Sequence, residues 1–160
     1  MTPEPSLDRR GVLRTVGTLS IAALAGCTGG NGGDDGPDYE TVPDEEEPDY
    51  GGWLDPASNY EGTADRRGQS EVTVEVGTGS RGQSFSPAAI MVDPGTTVVW
   101  EWTGDGGGHN VAEEKGAYES PIETEEGFTF KHTFEEPGTS RYTCIPHDAQ
   151  GMRGAVAVTE

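Results

Sequence analysis

With 160 residues, the chain has room for one ordinary domain and accessory segments but not for two large domains. Hydrophobic residues make up 31% and glycines number 25, so one core is diluted by polar stretches. The net charge of −19, from 29 acidic against 10 basic residues, excludes nucleic acid as a partner, because phosphate binding needs the opposite sign.

Asp8 to Arg14 reads DRRGVLR, a twin arginine followed by an apolar and a basic position, and an apolar run from Val16 to Ala25 comes next. The run is shorter than the ~20 residues a membrane helix needs. Residues 1–26 therefore read as a twin-arginine export signal. The run ends in Leu24-Ala25-Gly26-Cys27, which resembles the lipobox of exported lipoproteins, where the cysteine is lipidated and becomes the first mature residue. Cys27 is the expected attachment point, with cleavage without lipid or a free thiol as alternatives. Residues 27–50 carry glycines first and then acids and prolines, and read as a disordered, self-repelling acidic tether. Residues 51–70 read as a partly ordered lead-in: Trp53, Leu54 and Tyr60 can pack, while Gly62, Asp65, Arg66 and Gly68 suit a loop.

From Glu71 the period becomes two, with Val72, Val74 and Val76 on one face and Glu71, Thr73 and Glu75 on the other. Asp93-Pro94-Gly95 forms a turn, and Thr96 to Thr103 then places Val98, Trp100 and Trp102 on one side. Phe128, Phe130, His132 and Phe134 share a parity, Glu136-Pro137-Gly138 is a second turn, and Ser140, Tyr142 and Cys144 share the next face. Val156 and Val158 close the chain. No segment sustains a 3.6-residue stripe. Residues 71–160 are expected to form an all-β sandwich of seven or eight strands.

The block Cys144 to Met152, CIPHDAQGM, places a thiolate, an imidazole and a thioether in one loop. Soft sulfur with imidazole suits copper. A second imidazole is available from His109, 35 residues earlier, where the chain leaves the glycine-rich stretch Gly104 to Gly108. The spacing C-x-x-H-x-x-x-x-M after an upstream His-Asn pair resembles plastocyanin, and residues 71–160 resemble the halocyanins, the archaeal branch of that cupredoxin family. The acidic composition with only two lysines, Lys115 and Lys131, resembles the proteins of salt-loving archaea, and the twin arginine and lipobox fit the same frame.

The resemblance implies a Greek-key sandwich holding one copper ion that cycles between Cu(I) and Cu(II). His109, His147 and Cys144 would form the equatorial plane through two Nδ1 atoms and a thiolate, with Met152 as a long axial ligand. Asn110 would hydrogen-bond across to the cysteine loop and stiffen it. Electrons would pass through the exposed edge of His147, ringed by Ile145 and Pro146. The protein would then be a monomeric electron carrier rather than an enzyme, lipid-anchored at the outer face of the cell membrane, with membrane-bound respiratory redox proteins as donor and acceptor.

Other readings of the same residues are a Cys144/His147 nucleophilic enzyme, a copper storage or delivery lipoprotein, and a metal-free adhesive scaffold. Met152 has no role in acyl transfer, and three histidines are too few for a histidine-rich delivery site. A disulfide between Cys27 and Cys144 would compete with both assigned uses. His132 reads as a buried or edge histidine with a hydrogen-bond partner, and Met91 as core.

Overall fold

The computed structural model describes residues 38–160. The export signal, Cys27 and the first part of the acidic linker lie outside the described residues. Nine strands form two sheets: β1 (Ala64–Asp65), β2 (Glu71–Thr78), β3 (Ser84–Ser86), β4 (Ala89–Val92), β5 (Thr96–Trp102), β6 (Ala112–Glu113), β7 (Thr129–Phe134), β8 (Gly138–Thr143) and β9 (Arg153–Val158). One sheet has the order β1-β4-β9-β8-β6 and the other β3-β2-β5-β7. Strands β2, β5, β7, β8 and β9 fall where the sequence places them. The short β1, β3, β4 and β6 are additional: β1, β3 and β6 have only two or three residues and so no readable period, and β4 is buried throughout.

Parallel pairing of β2 with β5 sets Val72 beside Val98, Val74 beside Trp100 and Val76 beside Trp102. These side chains form one wall of the core, and Ile90, Val92, Tyr142, Val156 and Val158 of the other sheet face them. Trp100 sits at the centre, its ring 5.3 Å from Tyr142 and 5.5 Å from Tyr118. Such buried aromatics supply much of the burial that holds two sheets together. Among the described residues, no helix is long and apolar enough to cross a membrane.

Strands β4 and β9 break the alternation because they are buried on both faces. Ile90, Val92, Val156 and Val158 enter the main core, whereas Ala89 and Ala155 belong to a second cluster with Tyr50, Leu54 and Ala57. Trp53 and Tyr60 pack on that cluster. Within the lead-in 51–70, Trp53 to Tyr60 therefore cover the outer face of the five-stranded sheet, and Ala64–Asp65 adds an edge strand to it.

The cover begins earlier than the sequence suggests. Asp38 to Tyr50, expected as the end of a disordered tether, lies on the domain: Thr41 bridges Ala64, and Val42 N–H donates to the Thr63 carbonyl at 2.9 Å. Val42 and Tyr50 are buried. Glu47 is not a free tether charge, since its carboxylate accepts from Thr63 N–H at 3.1 Å, from Thr63 Oγ1 at 2.6 Å and from the Tyr60 hydroxyl. Two apolar anchors and one satisfied carboxylate are enough to dock a segment whose composition looks unfoldable.

Candidate metal centre

His109 follows the glycine-rich turn and is 1% exposed. Its backbone is held on both sides, exchanging two 2.9 Å hydrogen bonds with Glu123 and accepting from Trp102 Nε1 at 3.1 Å. The ring is held as well: Nε2 lies 2.7 Å from the Asp105 carbonyl oxygen. A carbonyl only accepts, so Nε2 carries the proton, and in the neutral ring Nδ1 presents a bare lone pair.

Room for this contact comes from a bulge in β2, where the register shifts between Val76 and Thr78. Gly77 occupies it at φ +95°. A Cβ there would lie 2.7 Å from Asp105 O and 3.2 Å from His109 Nε2.

Cys144 directly follows β8 and is fully buried. A six-residue 3₁₀ turn, Ile145–Gln150, then carries His147, and Met152 immediately precedes β9. The three residues are tied in a ring by backbone hydrogen bonds. His147 N–H donates to Cys144 O at 3.1 Å, Met152 N–H to His147 O at 3.2 Å, and Cys144 N–H to Met152 O at 3.0 Å.

The ring brings three donor atoms together. Cys144 Sγ lies 3.7 Å from His109 Nδ1 and 3.5 Å from His147 Nδ1, and the two nitrogens are 3.1 Å apart. A triangle with these sides has a centre about 2 Å from every corner, close to the length of a bond from a first-row metal ion to imidazole nitrogen. The donor set therefore fits a copper ion, and Met152, fully buried and tied through its backbone to Cys144 and His147, is the expected fourth ligand.

The electrostatics suit metal loading. Burial lowers the pKa of His147, and the nearby His109 ring lowers it further, favouring the neutral form that has a lone pair to give. Burial pushes the Cys144 thiol up, although the backbone N–H groups of Asn110 and His147 oppose this. A coordinating metal ion removes that proton outright.

Asn110 lies where the sequence places it, its Oδ1 accepting from Ile145 N–H at 2.8 Å. Ile145 is 55% exposed beside exposed Pro146, while His147 is half-buried. Ile122, 59% exposed, was not legible as a site residue. A Cβ on Gly108 would lie 3.0 Å from its Cγ2, which puts Ile122 beside the His109 segment. No motif marks it, since only the bridge between His109 and Glu123 brings it there.

His132 lies on edge strand β7 as expected, but its environment differs. Its ring packs 4.4 Å from Tyr118 and 4.8 Å from Phe134, and among the described residues it makes no side-chain hydrogen bond. Aromatic packing takes the place of the expected polar partner. Met91 is buried as expected.

The family described as copper binding proteins of the plastocyanin/azurin type matches residues 71–159. Halocyanin of Natronomonas pharaonis is 50% identical over 156 residues, covering 94% of this chain and 96% of its own length. Plastocyanin of Scenedesmus fuscus is 30% identical over 98 residues, 55% of this chain and 99% of that protein. Among solved structures, a mutant fern plastocyanin aligns with 25% identity and a TM-score of 0.49, covering 55% of this chain and all of its own. The chain belongs to the plastocyanin/azurin family of copper-binding proteins.

Proposed function

We propose that the protein is a one-electron carrier tethered to the outer face of the cell membrane, with a single blue copper site formed by His109, Cys144, His147 and Met152. Bound copper supplies the Cu(I)/Cu(II) couple, and the chain's own contribution is a donor set that need not move. The observation that carries this reading is the triangle of two Nδ1 atoms and one Sγ. Its corners are fixed by the Asp105 contact on one side and the backbone ring of the ligand loop on the other. Little rearrangement between oxidation states means fast transfer. The protein acts as a carrier and not as an enzyme, in keeping with its halocyanin and plastocyanin relatives.

Met152 would supply a thioether sulfur as the fourth ligand, and Asn110 would be the cross-link that keeps the two ligand segments in register. Electrons would pass through the edge of His147 within the apolar patch of Ile145 and Pro146, to which Ile122 is added. Export through the twin arginine and lipidation at Cys27 are supported by DRRGVLR and by Leu24-Ala25-Gly26-Cys27. From Cys27 to the first docked residues near Asp38, a fully extended chain spans at most about 40 Å. The domain would thus work close to its anchor, where membrane-bound respiratory redox proteins are the natural donor and acceptor.

Titrating the apo protein with Cu(II) tests the site. An intense blue absorption with the narrow copper hyperfine pattern of a thiolate site is expected in the wild type and absent in Cys144→Ser. A colourless wild type, or an equally blue variant, would overturn the assignment.

A further inference from the structure

Trp53 lies outside the sandwich, in the segment that covers the five-stranded sheet, and its contacts fall on the parts of β8 and β9 that flank the ligand loop. Its Nε1–H donates to Gly154 O at 3.0 Å, and its carbonyl accepts from Arg153 Nη1 at 3.5 Å. The guanidinium carbons of Arg153 and Arg141 stand 4.6 and 5.4 Å from its ring centroid, a stacked geometry that fixes both cations. So held, Arg153 directs Nε and Nη2 to the two oxygens of Asp148, at 2.8 and 3.3 Å. The single hydroxyl proton of Thr143 lies between two acceptors, with Oγ1 2.8 Å from Asp148 Oδ1 and 3.0 Å from Met152 O. Thr143 precedes Cys144, and Asp148 follows His147.

A second contact lies at the far end of the same turn. Gly151 has φ +82°, and a Cβ there would lie 2.0 Å from the Pro56 carbonyl oxygen. The covering segment therefore presses on the loop at Gly151 while gripping it at Asp148 through Arg153.

We propose that Trp53, Arg153 and Asp148 are positioning residues for the copper ligands, and that the segment around Trp53 and Pro56 is a brace holding Cys144, His147 and Met152 in one geometry. A simple cover for the sheet would need only Tyr50, Leu54 and Ala57 on Ala89 and Ala155. Trp53 packs on that cover too, but its link through Arg153 to Asp148 is one that a cover does not need. A partly exposed ion pair adds little to stability, so the Arg153–Asp148 pair serves direction rather than strength. The effect on the metal rests on the copper reading above, whereas the brace itself is a property of the polypeptide.

Trp53→Ala, Trp53→Phe and Arg153→Gln test it in the full chain. Without metal, hydrogen exchange at the His147, Gly151 and Met152 amides should speed up about tenfold or more in Trp53→Ala and Arg153→Gln, with β2 and β5 amides unchanged. With copper loaded, both variants should shift the reduction potential and the copper hyperfine splitting, and Trp53→Phe, which keeps a stacking ring, should recover most of the change. Unchanged loop exchange, or an unchanged potential and hyperfine splitting with only a lower melting temperature, would reduce the segment to a cover. A wild type that binds no copper as a thiolate site would sink the functional reading, while the apo exchange experiment would still decide the brace.

Discussion

Asn110 Oδ1 accepts the backbone N–H of Ile145 at 2.8 Å, joining the residue after the first metal ligand to the residue after the cysteine. Sequence separates the two by 35 positions, so this bond keeps the His109 segment and the ligand loop in register. Asn110→Ala removes the acceptor and leaves the Ile145 N–H without its partner, a loss worth about 1–3 kcal/mol. A lower melting temperature in the apo protein and weaker Cu(II) retention against a chelator are expected. Asn110→Asp, which keeps an acceptor at that reach, should retain more of both. Equal chelator resistance in wild type and Asn110→Ala would remove the bond from the metal site's support.

Gly77 supports His109 from behind. Gly77→Ala would set a methyl group 2.7 Å from Asp105 O and 2.8 Å from Thr103 Oγ1, at a φ of +95° that alanine resists. A destabilisation of more than about 1 kcal/mol is expected. Because Asp105 O orients the His109 ring, the copper spectrum should change as well as the melting temperature. A variant that melts early but keeps the wild-type spectrum would show that the ring does not depend on this packing.

The three ligands of the loop were legible because they fall within nine residues, and β2 because one of its faces is solvated while the other carries valines. Chemistry packed into local sequence survives translation into structure. The brace was not legible for the opposite reason, since Trp53 and Gly154 are separated by 101 positions and no period links them. Ala89 and Ala155 likewise look like ordinary strand residues until the covering segment shows why small side chains stand there. Asp38 to Tyr50 misleads through its composition: Glu47 counts as a charge in the sequence but as a hydrogen-bond hub in the fold.

The exposed pair Ile122 and Ile145 supports a separate test of electron exchange. Isolated exposed apolar residues are common, but Ile145 follows Cys144 in the chain and Ile122 stands beside Gly108, next to His109, so both belong to the proposed exchange patch. Ile122→Asp and Pro146→Asp each introduce a charge that must lose water when a partner docks. Stopped-flow oxidation of the reduced protein by a membrane redox partner should slow about tenfold or more in either variant, with the blue band unchanged. Unaltered rates in both would place the exchange surface elsewhere.

His132 gives a pH dependence that can be isolated from the metal site. Its pKa is lowered, and the cause is burial against Tyr118 and Phe134. The folded state therefore takes up this proton less readily than the unfolded chain, whose histidine keeps the ordinary value of about 6.5. Stability from the neutral ring is fully present above that value and is lost as pH falls from there through the lower folded pKa, because the unfolded state then binds more protons. His132→Gln has no such group to titrate. The melting-temperature difference between variant and wild type should thus shift in the variant's favour between pH 7.5 and about 5. Taking that difference in apo protein cancels His147, which titrates in both chains and is also lowered by burial. Parallel profiles would mean that the His132 ring takes up its proton in place, with the edge of β7 opening enough to hydrate it.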